Sequence, residues 1–126
     1  MSYVMLVEDN QDNADLMIRA LSTAGFEVRH YLRGLTSLGA VTKEKPSIIL
    51  LDFNLPDIDG RTLILSFKRK LGNDVPVVAV TARVSEMDQR LAMHFGASAF
   101  IGKPFDPREL VATVQRLVNP AKVTPT

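Results

Sequence analysis

Cysteine and long hydrophobic runs are both absent from this 126-residue sequence. Without cysteine the chain forms no disulfide, carries no thiol nucleophile and offers no thiolate to a metal ion. No apolar run approaches the length of a membrane span, and no basic segment leads into an apolar one as in a signal peptide. Fifteen basic and fourteen acidic residues leave a net charge of +1, so no overall field favours a nucleic acid or a membrane as partner. We therefore expect a soluble cytoplasmic domain.

Short apolar segments alternate along the chain with segments whose apolar residues recur at helical spacing. The pattern predicts a helix after each of five strands, which are Tyr3–Val7, Phe26–Tyr31, Ile48–Leu51, Val75–Val80 and Ala97–Ile101. Strands that alternate with helices form right-handed crossovers and a parallel sheet covered on both faces. We predict one α/β domain over residues 1–118 and a flexible C-terminal tail, or the start of a linker, over residues 119–126.

The last two predicted helices have clear start signals. Ser85 and Asp88 are spaced as a capping box, and Asp106 precedes a proline that suits the first helical position. In the fourth helix, Met87, Leu91 and Phe95 follow at helical spacing, and this pattern predicts that all three side chains face the core.

Charged and polar residues stand where the predicted strands end. Glu8 and Asp9 follow the first strand, Asp52 the third and Thr81 the fourth, while Lys103 comes after the fifth. Ligands of a doubly wound sheet bind beyond the carboxyl ends of its strands, so we expect these residues to lie together. Three carboxylates in one place repel one another, and a divalent cation relieves that repulsion. Mg²⁺ suits a site with few carboxylates and several waters.

The same edge of the predicted sheet suits a phosphoryl group. Lys103 adds a second positive charge, Thr81 adds a hydroxyl group, and the backbone amide of Ala82 adds another donor. Phosphoryl transfer depends mainly on positioning and on charge neutralisation, which such a set supplies. Because these strand ends hold no cysteine, serine or histidine, an aspartate is the plausible nucleophile. Asp52, which leaves the central strand, is the natural choice.

Four segments, each at the end of a predicted strand, together carry a family pattern: VEDN at 7–10, LLDFNLPDIDG at 50–60, VVAVTA at 77–82 and KPF at 103–105. Their order and spacing resemble the receiver domain of two-component response regulators, and the resemblance covers nearly the whole chain. It implies a flavodoxin-like, doubly wound, five-stranded parallel sheet in the order 2-1-3-4-5 with five helices.

The resemblance also implies a role for each acidic residue. Asp52 would accept a phosphoryl group from the phosphohistidine of a sensor histidine kinase or a histidine phosphotransfer protein. Glu8 and Asp9 would hold Mg²⁺ together with Asp52, and the backbone carbonyl of Asn54 would be the remaining protein ligand. Asp57 and Asp59, by contrast, are interpreted from their loop position as turn-forming residues rather than metal ligands.

The remaining site residues are implied in the same way. Thr81, the amide of Ala82 and Lys103 would bind the phosphoryl oxygens, and the bond between Lys103 and Pro104 would be cis. Phe100 corresponds to an aromatic switch residue. On phosphorylation, Thr81 and Phe100 would move and remodel the face formed by the fourth helix, the fifth strand and the fifth helix.

A domain of this kind is a signalling switch that regulates a downstream protein target. It would catalyse only its own phosphotransfer and autodephosphorylation, so we do not class it as a turnover enzyme. We expect no direct contact with nucleic acid or membrane, and we leave open a homodimer. Whether the chain acts alone or as part of a longer protein is also left open.

Other functions fit the sequence less well. A flavodoxin-like electron carrier needs a phosphate-binding loop after the first strand, where this chain has the acidic segment EDNQDN. A phosphatase of the haloacid dehalogenase type needs an acidic residue two positions after its nucleophile, where this chain has Asn54. The main alternative is a pseudo-receiver, an interaction module of the same fold that works without phosphorylation. The complete acid, threonine and lysine set argues against it.

Overall fold

The computed structural model describes residues 3–118, in which five parallel strands form a single sheet with helices on both faces. The strands are β1 (Val4–Val7), β2 (Val28–Tyr31), β3 (Ile48–Leu51), β4 (Val77–Thr81) and β5 (Ala99–Gly102). The helices are α1 (Gln11–Thr23), α2 (Gly34–Ala40), α3 (Gly60–Leu71), α4 (Glu86–Phe95) and α5 (Pro107–Val118). The strand order is β2-β1-β3-β4-β5, which confirms the predicted doubly wound topology. The predicted tail, residues 119–126, lies outside the described residues.

The apolar strands are explained by helices on both sides of the sheet. Successive side chains of a strand point to opposite faces, so each central strand fills two cores. On one face, Met5, Val7, Ile49 and Leu51 pack with buried residues of α3, namely Leu63, Ile64 and Phe67. On the other face, Val4, Leu6, Ile48 and Leu50 pack with buried residues of α1 and α5, namely Ala14, Met17, Leu21, Leu110 and Val114. A strand with two buried faces needs no alternation of polar and apolar residues.

The start of α4 was predicted correctly, but its buried face was predicted only in part. Ser85 caps the helix by accepting a hydrogen bond from the backbone N–H of Asp88. Met87, predicted to lie in the core, is 61% exposed, and the buried residue of this helix is Ala92. With 3.6 residues per turn, Met87 lies about 140° around the helix from Ala92. Phe95 packs against the core as predicted, so the inner face of α4 contains Ala92 and Phe95, and Met87 lies outside it.

The helices all begin at the edge of the sheet where the strands end. Each strand is followed by a short loop and then by the N-terminus of the next helix. Within residues 3–118, no helix is both long enough and apolar enough to span a membrane. The sheet therefore presents one edge, built from strand ends and helix starts, at which polar side chains can gather.

Candidate functional site

The polar residues predicted to lie together do follow strands that are neighbours in the sheet. Glu8 comes directly after β1, Asp52 directly after β3, and Lys103 directly after β5, while Thr81 is the last residue of β4. Because β1, β3, β4 and β5 are adjacent and parallel, their carboxyl ends share one edge. The topology therefore brings to one place residues that are up to 95 positions apart in the sequence.

Lys103 is the centre of this cluster. Its ammonium group donates hydrogen bonds to Glu8 Oε1 at 2.5 Å and to Asp52 Oδ2 at 2.7 Å. Glu8 is only 1% exposed and Asp52 only 7%. An unpaired carboxylate is very unfavourable in such a place, whereas a paired and hydrogen-bonded one is tolerated. The lysine thus explains how two buried acids can lie at the ends of the neighbouring strands β1 and β3.

Glu8 and Lys103 both hold their protons more strongly in the folded protein than they would in water. Burial raises the pKa of Glu8, because its desolvation outweighs the hydrogen bonds from Lys103 and from the backbone of Asn10. Burial also acts to lower the pKa of Lys103, but the hydrogen bonds to Asp52 and Glu8 outweigh it, so the pKa of the lysine is raised. The raised pKa of Lys103 reflects the two acids beside it, and such a concentration of acidic groups favours a bound cation.

A cation has three carboxylates available. Glu8, Asp9 and Asp52 each offer an oxygen, and these three atoms lie within 4.8 Å of one another. Asp9 is exposed whereas the other two residues are buried. A hard divalent cation such as Mg²⁺ prefers this kind of oxygen donor set and retains several waters. The residues present therefore fit the predicted metal.

The residues after Asp52 fix the orientation of its carboxylate. The backbone N–H of Asn54 donates to Asp52 Oδ1 at 3.1 Å, and Asn54 also forms an isolated bridge with Asp59. Each oxygen of Asp52 thus has its own partner, Asn54 on one side and Lys103 on the other. The carboxylate is held in one orientation before any ligand arrives.

Thr81 and its neighbours link the site to α4. Thr81 is fully buried, and its hydroxyl oxygen accepts a hydrogen bond from the backbone N–H of Arg83 at 3.2 Å. Arg83 in turn forms an ion pair with Asp88 of α4 at 3.2 Å. Ala82, whose amide was predicted to bind the phosphoryl group, is exposed. A hydrogen bond and an ion pair thus connect Thr81 to the start of α4 through Arg83.

The predicted switch residue Phe100 lies in β5, half-buried against the core. Its ring meets that of Phe53 edge to face, with 6.1 Å between centroids. Phe53 directly follows Asp52, so this contact joins the acidic site to the edge strand. The peptide bond between Lys103 and Pro104 is cis. Sequence reasoning did not anticipate the pairing of the two phenylalanines, because nothing local connects positions 47 residues apart.

The two acids of the β3–α3 loop have structural partners. Asp59 caps α3 by accepting a hydrogen bond from the N–H of Arg61 at 2.8 Å. Asp57 instead accepts hydrogen bonds from the N–H groups of Gly34 and Leu35, at the start of α2. Within residues 3–118, neither acid belongs to a group that could hold a metal. The interpretation of both acids as turn residues agrees with the local hydrogen bond of Asp59. It did not predict the contact of Asp57 with α2, because no local sequence pattern indicates that contact.

The raised pKa of Glu8 predicts how stability depends on pH without Mg²⁺. Between the ordinary value of 4.5 and the higher value in the folded protein, the folded state binds more protons than the unfolded state. Glu8 therefore stabilises the fold most below pH 4.5, and this contribution is lost as the pH rises through the raised pKa. Relative to Glu8→Gln, the wild type should lose about 1.4 kcal/mol for every pH unit between the two values. Chemical denaturation of both proteins at several pH values measures this difference, and a constant difference would contradict it.

The fold and the acidic site together define a class of protein, the doubly wound α/β domain with an acidic cluster at the carboxyl ends of its strands. Residues 4–115 match the family described as the response regulator receiver domain. The chain belongs to this family. The family assignment that the sequence motifs implied is thereby confirmed.

Several relatives support the same assignment. The chain is 40% identical to the transcriptional regulatory protein CreB of Escherichia coli over 119 residues, which are 94% of this chain and 52% of that protein. It is 38% identical to the transcriptional regulatory protein GltR of Pseudomonas aeruginosa, covering 96% of this chain and 50% of the relative. The chain thus spans about half the length of these curated relatives. A putative response regulator from Chloroflexus aurantiacus superposes with a TM-score of 0.88 at 28% identity, covering 93% of this chain and 97% of that one.

Proposed function

We propose that the protein is a phosphorylation-activated switch of a two-component system or phosphorelay. In this proposal Asp52 accepts a phosphoryl group from a sensor histidine kinase or a histidine phosphotransfer protein. The observation that carries it is the pairing of a buried, oriented carboxylate with Lys103 beside two further acids. That arrangement combines a nucleophile, a fixed cation and a metal site in one place, as phosphoryl transfer needs.

The transfer would proceed by in-line displacement at phosphorus. An oxygen of Asp52 forms the new O–P bond while the N–P bond of the donor phosphohistidine breaks, and the leaving nitrogen keeps the electron pair. Lys103, already 2.7 Å from Asp52, is in position to contact a phosphoryl oxygen. The hydroxyl of Thr81 and the amide of Ala82 would bind the others. Mg²⁺, held by Glu8, Asp9, Asp52 and the carbonyl of Asn54, would supply charge neutralisation.

The output would arise from rearrangement around the phosphoryl group. Thr81 would give up the hydrogen bond from Arg83 to bind the phosphoryl group, and the ion pair from Arg83 to Asp88 would carry that change to α4. Phe100 would turn inward beside Phe53, changing the face formed by α4, β5 and α5. A downstream protein would bind one form of this face better than the other, which is the requirement for a switch.

The proposal extends to the type of catalysis and to the setting. The protein would catalyse its own phosphorylation and autodephosphorylation and would not turn over an external substrate. We place it in the cytoplasm, with protein partners rather than nucleic acid or membrane, and retain homodimer formation as an open outcome. The relatives named above are transcriptional regulatory proteins, but only half of each is covered.

Intact mass spectrometry tests the proposal directly. Incubation with an acyl phosphate and Mg²⁺ should add one phosphoryl group to the wild type and none to Asp52→Asn, because the amide is not a nucleophile. Asp74→Asn, an exposed acid in an ion pair away from the site, should still gain the group. Failure of the folded wild type to gain a phosphoryl group would favour the pseudo-receiver alternative.

A further inference from the structure

The β3–α3 loop, defined here as residues 53–59, is closed by hydrogen bonds that involve Phe53, Asn54 and Leu55 near its start, including one of 3.1 Å from the N–H of Leu55 to the carbonyl oxygen of Phe53. At the start, the N–H of Asn54 donates to the Asp52 carboxylate at 3.1 Å. At the end, the N–H of Gly60 donates to the carbonyl oxygen of Phe53 at 3.0 Å. Between these points lie Pro56, which has no N–H group, and Asp57. The middle of the loop is also held by another element, α2.

Asp57 makes that external contact with both oxygens of its carboxylate. Oδ1 accepts a hydrogen bond from the N–H of Gly34 at 3.0 Å, and Oδ2 accepts one from the N–H of Leu35 at 2.8 Å. The first N–H groups of a helix have no partner within the helix. Arg33, the N-cap residue of α2, provides no side-chain hydrogen bond. Asp57 therefore caps the N-terminus of α2, although it lies more than 20 positions further along the chain.

Side-chain packing holds the same two elements together. Gly34 is buried, and a Cβ atom placed on it would overlap Cγ2 of Ile58 and lie 3.0 Å from Cδ2 of Leu63. Ile58 and Leu55 also pack against the core cluster beneath α2 and α3. The start of α2 thus contacts the loop by two hydrogen bonds and by close apolar packing. Because the two elements are closely packed, a displacement of the start of α2 would also move the loop.

We propose that Asp57 is a positioning residue for the phosphorylation site. By tying the β3–α3 loop to α2, it holds Asn54 where its N–H orients Asp52 and where its carbonyl can complete the Mg²⁺ site. Asp57 touches neither the metal ligands nor the phosphoryl group in this assignment, and acts only through the loop. The inference rests on the proposed function, because it assumes that Asn54 and Asp52 share a metal.

The expected consequence of losing Asp57 is weaker Mg²⁺ binding with intact chemistry. Loss of a residue that hydrogen-bonds to a metal ligand and orients it typically weakens metal binding by about 10- to 100-fold. Asp57 is one step further away, so we expect Asp57→Ala to bind Mg²⁺ about 3- to 10-fold more weakly. Phosphorylation by an acyl phosphate should slow by the same factor at low Mg²⁺ and recover at saturating Mg²⁺. The recovery follows because Thr81 and Lys103 are unchanged.

The experiment compares variants by titration calorimetry with magnesium chloride and by hydrogen exchange. Asp57→Asn retains one acceptor oxygen and should lie between the wild type and Asp57→Ala. Gly34→Ala disturbs the same contact from the helix side and should weaken Mg²⁺ binding as well, which keeps the test decisive if Asp57→Ala folds poorly. In both alanine variants the amide of Asn54 should exchange faster than in the wild type.

Thr42→Ala is the matched control. Thr42 donates a hydrogen bond to the carbonyl oxygen of Gly39, near the other end of α2, so this variant loosens the same helix away from the loop. Its Mg²⁺ affinity should equal that of the wild type. Unchanged affinity in folded Asp57→Ala and Gly34→Ala would overturn the inference alone. Absence of Mg²⁺ binding by the wild type would instead overturn the proposed function and with it the inference.

Discussion

In the absence of Mg²⁺ at neutral pH, Lys103→Met should lower the free energy of unfolding by about 3 kcal/mol. The substitution retains most of the apolar stem but removes the ammonium group that pairs with Glu8 and Asp52. Two buried carboxylates are then left together without a counter-charge, and loss of one partner from a buried ion pair is strongly destabilising. Phosphorylation at saturating Mg²⁺ should also slow by about 100-fold, because a fixed positive charge near the transferred group is lost.

Two conditions should restore much of the lost stability. Lowering the pH favours the protonated form of Glu8, whose pKa is already raised by burial, so the repulsion between the two acids is relieved. Adding Mg²⁺ should stabilise the variant more than the wild type, because the ion replaces the missing charge. Urea denaturation at pH 5 and 7.5, with and without Mg²⁺, measures both effects.

Lys45→Met is the control for loss of a lysine as such. Lys45 forms an exposed ion pair with Asp74 at 3.3 Å, and such pairs contribute at most about 1 kcal/mol. Because its acidic cluster is intact, Mg²⁺ should stabilise this variant by the same amount as it stabilises the wild type. If Lys103→Met were as stable as the wild type without Mg²⁺ at neutral pH, the two buried acids would not depend on the lysine.

The fold could be predicted from the sequence because its strands are simple. Ile48–Leu51 has no polar residue, which indicates a strand buried on both faces, and that strand has the same bounds in the structure. The exposure of Met87 could not be predicted in the same way. Helical spacing identifies residues that share a face, but which face is buried depends on how closely the helix approaches the sheet. In α4 the inner face contains Ala92 and Phe95 and leaves Met87 in the solvent.

The sequence predicted only those parts of the site that the order of the strands brings together. Glu8, Asp52 and Lys103 each follow a strand, and a parallel sheet brings strand ends together whatever the intervening sequence. The contact of Asp57 with the start of α2 depends instead on the path of two loops. Nothing in the segment PDIDG distinguishes an acid that caps the next helix, as Asp59 does, from one that caps a preceding helix.

Gly60→Ala should be the most damaging single methyl addition near the site. A Cβ atom on Gly60 would overlap Cα of Phe53 and lie 2.7 Å from the carbonyl oxygen of Asp52. Both neighbours are backbone atoms, which cannot turn aside as the end of a side chain can. Gly60 is not among the glycines with positive φ, so the requirement is for space rather than for an unusual conformation. We expect a loss of about 3 kcal/mol in unfolding free energy.

The same substitution should also impair phosphorylation. To accommodate the methyl group, α3 must move away from the residues that join Asp52 to the loop, and the N–H of Gly60 donates to the carbonyl of Phe53 at that point. We therefore expect the rate of phosphoryl adduct formation to fall by at least about 10-fold, since small misplacements of reacting groups cost rate. Intact mass over time, at a temperature where circular dichroism shows the variant folded, measures this rate.

Gly39→Ala provides the matched control, because the chemical change is identical and the expected effect has the opposite sign. Gly39 lies in α2, and a Cβ atom on it would have no neighbour within 4 Å. Alanine is favoured over glycine in a helix by about 0.5–1 kcal/mol, so this variant should be more stable and should be phosphorylated at the wild-type rate. A Gly60→Ala variant as stable as the wild type would show that the backbone of Phe53 can move to accommodate the methyl group. The carboxylate of Asp52 would then owe its orientation to Lys103 and Asn54 rather than to the backbone packing beneath it.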